Sequence, residues 1–306
     1  MIVTGFQGRL EEPEFPARRT AADMNLRGGR GPARRLFLIG CVLAAASLLA
    51  VAAVAEPLRV NCRLAGSRLT DALIQACTEL IEKGDRTGDA LAEAFIVRGR
   101  AYRVKGDYER AIADFSEALK NQPGNALALR GRADAYFEAR EFNQSIEDYD
   151  RTISRMPNDP TLFQDRARVY VAMGKFERAI VDYSEAIRIL PISAPALRER
   201  CYVRTIANRE LGQAVDDCSE ALRLRRNDFM ALDRRGLAYL RLGNLVNAMA
   251  DYNLALRLNP SYAPSLYGRG VVKKKSGDEV GGEADIAAAR QIQPDAVDAL
   301  IGYGIK

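Results

Sequence analysis

Residues 92–125 read AEAFIVRGRAYRVKGDYERAIADFSEALKNQPGN, and residues 126–159 read ALALRGRADAYFEAREFNQSIEDYDRTISRMPND. Laid one above the other, the two 34-residue strings share their key columns. Gly99 pairs with Ala133, Tyr102 with Tyr136, Ala111 with Ser145, Phe115 with Tyr149, Ala118 with Thr152, and Pro123 with Pro157. Phe95, Gly99 and Tyr102 fall at i, i+4 and i+7, one face of a helix, and Ala111, Phe115 and Ala118 repeat that interval. Gly106-Asp107 between the two halves signals a turn, and the proline after the second half stops it. Each string therefore predicts a pair of helices.

The columns continue outward along the chain. The first small-residue column runs Gly99, Ala133, Ala167, Cys201, Gly236, Gly270, and the second Ala111, Ser145, Ala179, Ala214, Ala248, Gly282. The bulky column reads Phe115, Tyr149, Tyr183, Cys218, Tyr252, Ile286. Six units follow, at 92–125, 126–159, 160–193, 194–228, 229–262 and 263–296. The fourth is one residue longer and carries Arg226 where the others have proline. A period of this length marks a solenoid, because no single unit can bury its own apolar face and neighbours must stack. Small residues let paired helices approach, and the bulky column fills the space between them. Gly281-Gly282 in the last unit predicts local weakness, since a helical glycine costs about 1 kcal/mol relative to alanine.

This pattern resembles the tetratricopeptide repeat family, whose helix-turn-helix consensus places Gly/Ala, Tyr, Ala, an aromatic, Ala and Pro at these positions. The resemblance covers residues 92–296 and implies an all-α, right-handed solenoid that binds protein or peptide partners without catalysis. In that family ligands lie in the concave groove lined by the first helices. Carried over position by position, the groove includes Arg100, Arg103, Arg130, Asp134, Phe137, Arg168, Tyr202, Leu237, Leu240, Tyr267 and Lys274. Basic residues dominate its first half and apolar ones enter the second. Such a surface suits an extended or helical peptide with an acidic portion and one or two hydrophobic anchors. The Lys/Asn clamp with which some members hold a terminal carboxylate is not reproduced, which argues against an adaptor for chaperone tails.

A charge ladder accompanies the repeats. Arg98, Arg132, Arg166, Arg200, Arg235 and Arg269 precede the first small-residue column. Asp114, Asp148, Asp182, Asp217, Asp251 and Asp285 precede the bulky one. Equal numbers at equal spacing point to pairing, each arginine with the aspartate of its own or the preceding repeat, rather than to a cationic stripe that grips a ligand. Bidentate Arg–carboxylate geometry suits this stacking role.

Both ends need covering, because a terminal repeat exposes an apolar face. Residues 56–91 predict an N-terminal cap, with residues 73–81 as a lone second helix that places Cys77 in the bulky column. A Cys62–Cys77 bond would tie the preceding segment over it, worth about 3 kcal/mol in the chain-entropy model. Cys201 and Cys218 occupy columns that face each other in the family, which favours a second disulfide. Four buried thiols are the alternative. Residues 297–306 predict a short cap with Leu300 in register.

Ahead of the cap lies a stretch of a different kind. Residues 1–35 are a basic tail of charge +3, and residues 36–55 carry no charge. Arg34-Arg35 precede that apolar run, and Ala53-Val54-Ala55 end it before Glu56, the layout of a signal peptide cleaved between Ala55 and Glu56. The rival is an uncleaved anchor, and this segment is the only expected membrane contact. Met24 offers a second start, and the arginine pair leaves twin-arginine export open beside the general route. Either way the repeats are expected in the periplasm or secreted, where disulfides persist. The Arg27-Gly28-Gly29-Arg30-Gly31 run reads as part of this signal.

Composition excludes several functions. There is no histidine, so histidine-based catalysis and most zinc sites are ruled out. No Walker loop, dinucleotide fingerprint or Cys-x-x-Cys is present, so neither catalytic residues nor a cofactor nor a metal is expected. Residues 56–306 carry a net charge of only +2, which gives no reason to expect nucleic acid as a partner. A binding scaffold is the expected function, and self-assembly through the solenoid ends is the alternative.

Overall fold

The computed structural model describes residues 67–83 and 88–306. The signal segment, its cleavage point at Ala55 and Glu56, and Cys62 lie outside the described residues, so the Cys62–Cys77 pairing does too. Every regular element among the described residues is a helix. Helix α1 (Ser67–Glu82) leads, and six pairs follow. These are α2 (Asp89–Val104) with α3 (Tyr108–Asn121), α4 (Ala126–Glu138) with α5 (Phe142–Arg155), and α6 (Pro160–Ala172) with α7 (Phe176–Ile189). Then come α8 (Ala194–Ile206) with α9 (Leu211–Leu224), α10 (Phe229–Arg241) with α11 (Leu245–Leu258), and α12 (Ala263–Lys275) with α13 (Glu279–Ile292). Helix α14 (Pro294–Gly302) closes the array. Each helix packs on its sequence neighbours, which makes the fold a solenoid.

Local chemistry sets the helix ends. Asn125, Asp159, Ser193 and Asp228 accept backbone N–H bonds from the first turns of α4, α6, α8 and α10. The first helix of each pair ends in a left-handed residue: Gly106, Arg140, Gly174, Asn208, Gly243 or Gly277. In the first pair the N–H of Asp107 donates to the carbonyl of Tyr102, and that of Gly106 to Arg103, both at 3.0 Å, the Schellman pattern. Arg140 holds this conformation at φ 63°, where glycine carries no Cβ penalty. The extra residue of the fourth repeat falls in this turn. Residues 207–210 separate α8 from α9, and both Asn208 and Glu210 are left-handed.

The core follows the columns. Phe115, Tyr149, Tyr183 and Tyr252 are fully buried between helices, as are most of the small residues beside them. Gly282 answers to packing more than to helix propensity. A Cβ there would lie 2.4 Å from Cγ of Lys274 and 2.8 Å from the backbone oxygen of Gly270. The expected weak point is therefore where α12 and α13 come closest. Cys201 and Cys218 form a disulfide between α8 and α9, with Cα atoms 5.6 Å apart, in the repeat that lacks the ring. Cys77 on α1 is buried.

The ladder arginines bridge two repeats at once. Arg98, Arg132, Arg166, Arg200, Arg235 and Arg269 each donate Nε and Nη2 to both oxygens of Asp114, Asp148, Asp182, Asp217, Asp251 and Asp285 respectively, at 2.6–2.9 Å. The remaining Nη1 donates backward, to Thr78, Ser116, Asp150, Ser184, Ser219 and Asn253 in turn. Helix α1 supplies Thr78 as the second helix of a preceding repeat would. These acceptors form a polar column one place after the bulky one. The hydrogen bond to Asp114 holds the Arg98 guanidinium above its ordinary range. These arginines are committed to stacking, since each carboxylate is largely buried and takes a two-pronged partner.

Candidate functional site: the concave groove

The first helices α2, α4, α6, α8, α10 and α12 line the groove, and its two halves differ. In repeats 1–3 it is a web of charge. Arg103 lies 3.1 Å from Asp134, Arg130 2.7 Å from Asp165, and Arg168 3.6 Å from Asp165. The Tyr149 hydroxyl donates to Asp134 at 2.5 Å. Burial pushes the Asp165 carboxyl above the usual carboxylate range, while Arg130 and Arg168 pull it down. Burial, reinforced by the charges of Asp134 and Asp165, holds the Tyr149 phenol well above its ordinary value.

The expected cationic surface is thus smaller than the residue types imply. Arg103 and Arg130 are committed to carboxylates that the sequence reading did not weigh against them. Arg100 forms no ion pair among the described residues. Arg168 keeps 55% of its side chain exposed, with its guanidinium 5.2 Å from the centre of the Phe137 ring. Phe137 also packs against Phe142, centroids 6.1 Å apart. Arg100, Arg168 and the Phe137 ring are the open recognition features of this half.

In repeats 4 and 5, where Cys218 replaces the ring, Arg234 is largely buried. Its guanidinium lies 2.6 Å from Glu199 and 4.8 Å from the centre of the Tyr202 ring. Arg198 reaches Asp228 at 2.7 Å. Burial pushes the Tyr202 phenol up to about 12. Asp233 is buried and accepts the Ser265 hydroxyl at 2.7 Å. Burial raises its carboxyl to about 6, with Ser265 and Arg234 pulling the other way.

Leu237, Leu240 and Tyr267 require a correction. They were expected as open groove surface, yet all three are buried. They share one apolar cluster with Val297, Leu300 and Ile305 of the C-terminal segment, with Ile206 and Val271, and with the flanking Tyr202, Val171, Phe176 and Tyr303. Lys274 is also engaged, by Glu279 at 2.9 Å and by Glu283. Sequence reasoning missed Asp165, Glu199 and Arg234 as well. They share the sixth position of successive repeats, a column that holds glycine at Gly131 and Gly268. The run of three charged residues between two glycines in that column was the available signal.

Among the described residues no group of side chains could hold a metal ion, and no helix is long and apolar enough to cross a membrane. Stacked helix pairs around a lined groove define a helical-repeat scaffold. Tetratricopeptide repeat profiles match residues 96–160, 161–191 and 229–262, so these stretches of the chain are tetratricopeptide repeats. No curated protein sequence matches it. Among solved structures, the chain is similar to one in the APC/C hetero-tetramer Cut9-Hcn1, at 17% identity and a TM-score of 0.60. That match covers 76% of this chain but only 46% of the other. A tetratricopeptide repeat protein from Parabacteroides merdae is 16% identical, with a TM-score of 0.59 over 78% of this chain and 99% of that one. Pseudomonas aeruginosa pilF is 18% identical, with a TM-score of 0.56 over 70% and 98%. At these identities the likeness is one of fold.

Proposed function

We propose that the chain is a non-enzymatic scaffold whose open groove in repeats 1–3 holds an extended, acidic segment of a partner protein. The observation that carries this reading is Arg168, more than half exposed with its guanidinium 5.2 Å from the centre of the Phe137 ring and its one carboxylate, Asp165, shared with Arg130, together with Arg100, which forms no ion pair among the described residues. A guanidinium next to an aromatic face offers an acidic peptide both charge and an apolar surface. The scaffold acts outside the cytoplasm, in envelope assembly or secretion. Support for that location is the apolar run at 36–55 and the Cys201–Cys218 bond, of a kind that persists in oxidising compartments. Self-assembly through the ends is the weaker reading, because α1 and α14 cover the first and last repeats.

The test compares partner capture from an envelope extract by the native chain and by the double variant Arg100→Glu/Arg168→Glu. Capture should be lost while the melting temperature stays within a few degrees, since neither residue is buried. An identical set of captured proteins would refute the groove assignment.

A further inference from the structure

Residues 303–306 do more than cap the array. Capping needs only that α14 cover the last repeat, and Val297 and Leu300, both buried, do this. Beyond α14 the chain turns at Gly304, φ 78°, and lies in the groove. Ile305 is 2% exposed, and its carbonyl accepts the Tyr267 hydroxyl at 2.7 Å. The carbonyl of Tyr303 accepts from the Arg241 guanidinium. The Tyr303 ring meets Phe176 edge-on, centroids 6.0 Å apart, and Phe176 belongs to the third repeat. A cap for the sixth repeat has no use for a contact with the third.

The bonds are those of peptide recognition. Side chains of the groove hold main-chain carbonyls, which any peptide possesses, while apolar pockets take alternate side chains and set the preference. Arg241 forms no ion pair among the described residues, and its Nε is buried without a hydrogen-bond partner. Its one bond goes to the segment lying in the groove, which marks it as a cation kept for a peptide carbonyl.

We propose that the groove of repeats 3–6 is a binding site for a partner segment carrying an aromatic and an aliphatic residue two positions apart, occupied here in cis by Tyr303-Gly304-Ile305. This site meets the charged groove of repeats 1–3 only in the third repeat, uses none of its charged residues and does not depend on it. A segment tethered to its own site competes at an effective concentration in the millimolar range, so a free peptide of equal intrinsic affinity is strongly excluded. A partner must displace the segment to enter.

The probe is a fluorescent octapeptide with the sequence of residues 299–306, ALIGYGIK, followed by anisotropy on the full chain. It should bind Tyr303→Ser, and more strongly Tyr303→Ser/Ile305→Ser, at least tenfold tighter than the native chain. The peptide ALIGSGSK should not bind any of them. Tyr303 is partly exposed, so the single variant should keep its melting temperature and its monomeric mass. Equal or absent binding across all chains would overturn the proposal. So would loss of folding in the single variant, which makes the segment a structural cap. A native chain that is a dimer by light scattering, with the segment exchanged between copies, would overturn occupancy in cis.

Discussion

Asp233 shows how much one buried carboxyl can do. The bond from Ser265 and the nearby Arg234 do not offset its burial, and its carboxyl sits near 6 rather than 3.8. Between those values the folded chain holds a proton that the unfolded chain has released, so stability falls as pH rises through this window. Asp233→Asn keeps an acceptor for Ser265 and has no charge to bury. The variant should gain on the native chain from pH 4 to pH 6 and keep a constant lead above that. The shift corresponds to about 3 kcal/mol at most, and urea titrations at several pH values measure it. A difference independent of pH would show that Asp233 titrates normally. Nothing in the sequence marks Asp233 as special, because its burial depends on the helix of the next repeat. The ladder lies at the other extreme. Its spacing predicted arginine–aspartate pairing, but left open whether the partner was in the same or the preceding repeat. Planar guanidinium answers both, with two donors for the aspartate and one for the polar column behind it.

At the scale of helices, the columns predicted the pairs because the spacing of small and bulky residues is itself the packing rule. Propensity misled at Gly282, where distance to the neighbouring backbone decides. Gly282→Ala should lower the melting temperature, because overpacking costs about 1–3 kcal/mol and outweighs the helix gain of about 1 kcal/mol. Gly212→Ala in α9 serves as the contrast. Its Cβ would meet nothing within 4 Å, so it should hold or raise stability. If both variants gained stability, the close approach of α12 and α13 would be refuted. The extra residue of repeat 4 was visible as a longer period. Its place in the 207–210 turn was not, since only backbone conformation tells a lengthened turn from a lengthened helix.

Across the whole molecule, the groove was half legible. Position within the repeat identified its lining, because each first helix presents the same face. Occupancy was not legible. Tyr303 and Phe176 are far apart in the chain, and no local pattern announces a contact between the third repeat and the segment that follows the sixth. The pairings of Arg103 with Asp134 and of Arg130 with Asp165 join adjacent repeats and were hidden for the same reason.

The ladder's bonds are indifferent to how many repeats there are. Were residues 160–193 absent, Arg200 would face Asp150 in place of Ser184, and Tyr149 would face Glu199, a neighbour that Tyr183 already tolerates. Stacking alone therefore cannot count, and a shortened array would close without an orphaned donor. The Tyr303–Phe176 contact does count, since its two rings meet only across a fixed number of intervening helices. It works as a gauge of length, and a chain that gained or lost one unit would keep its spine while losing this measure of its span.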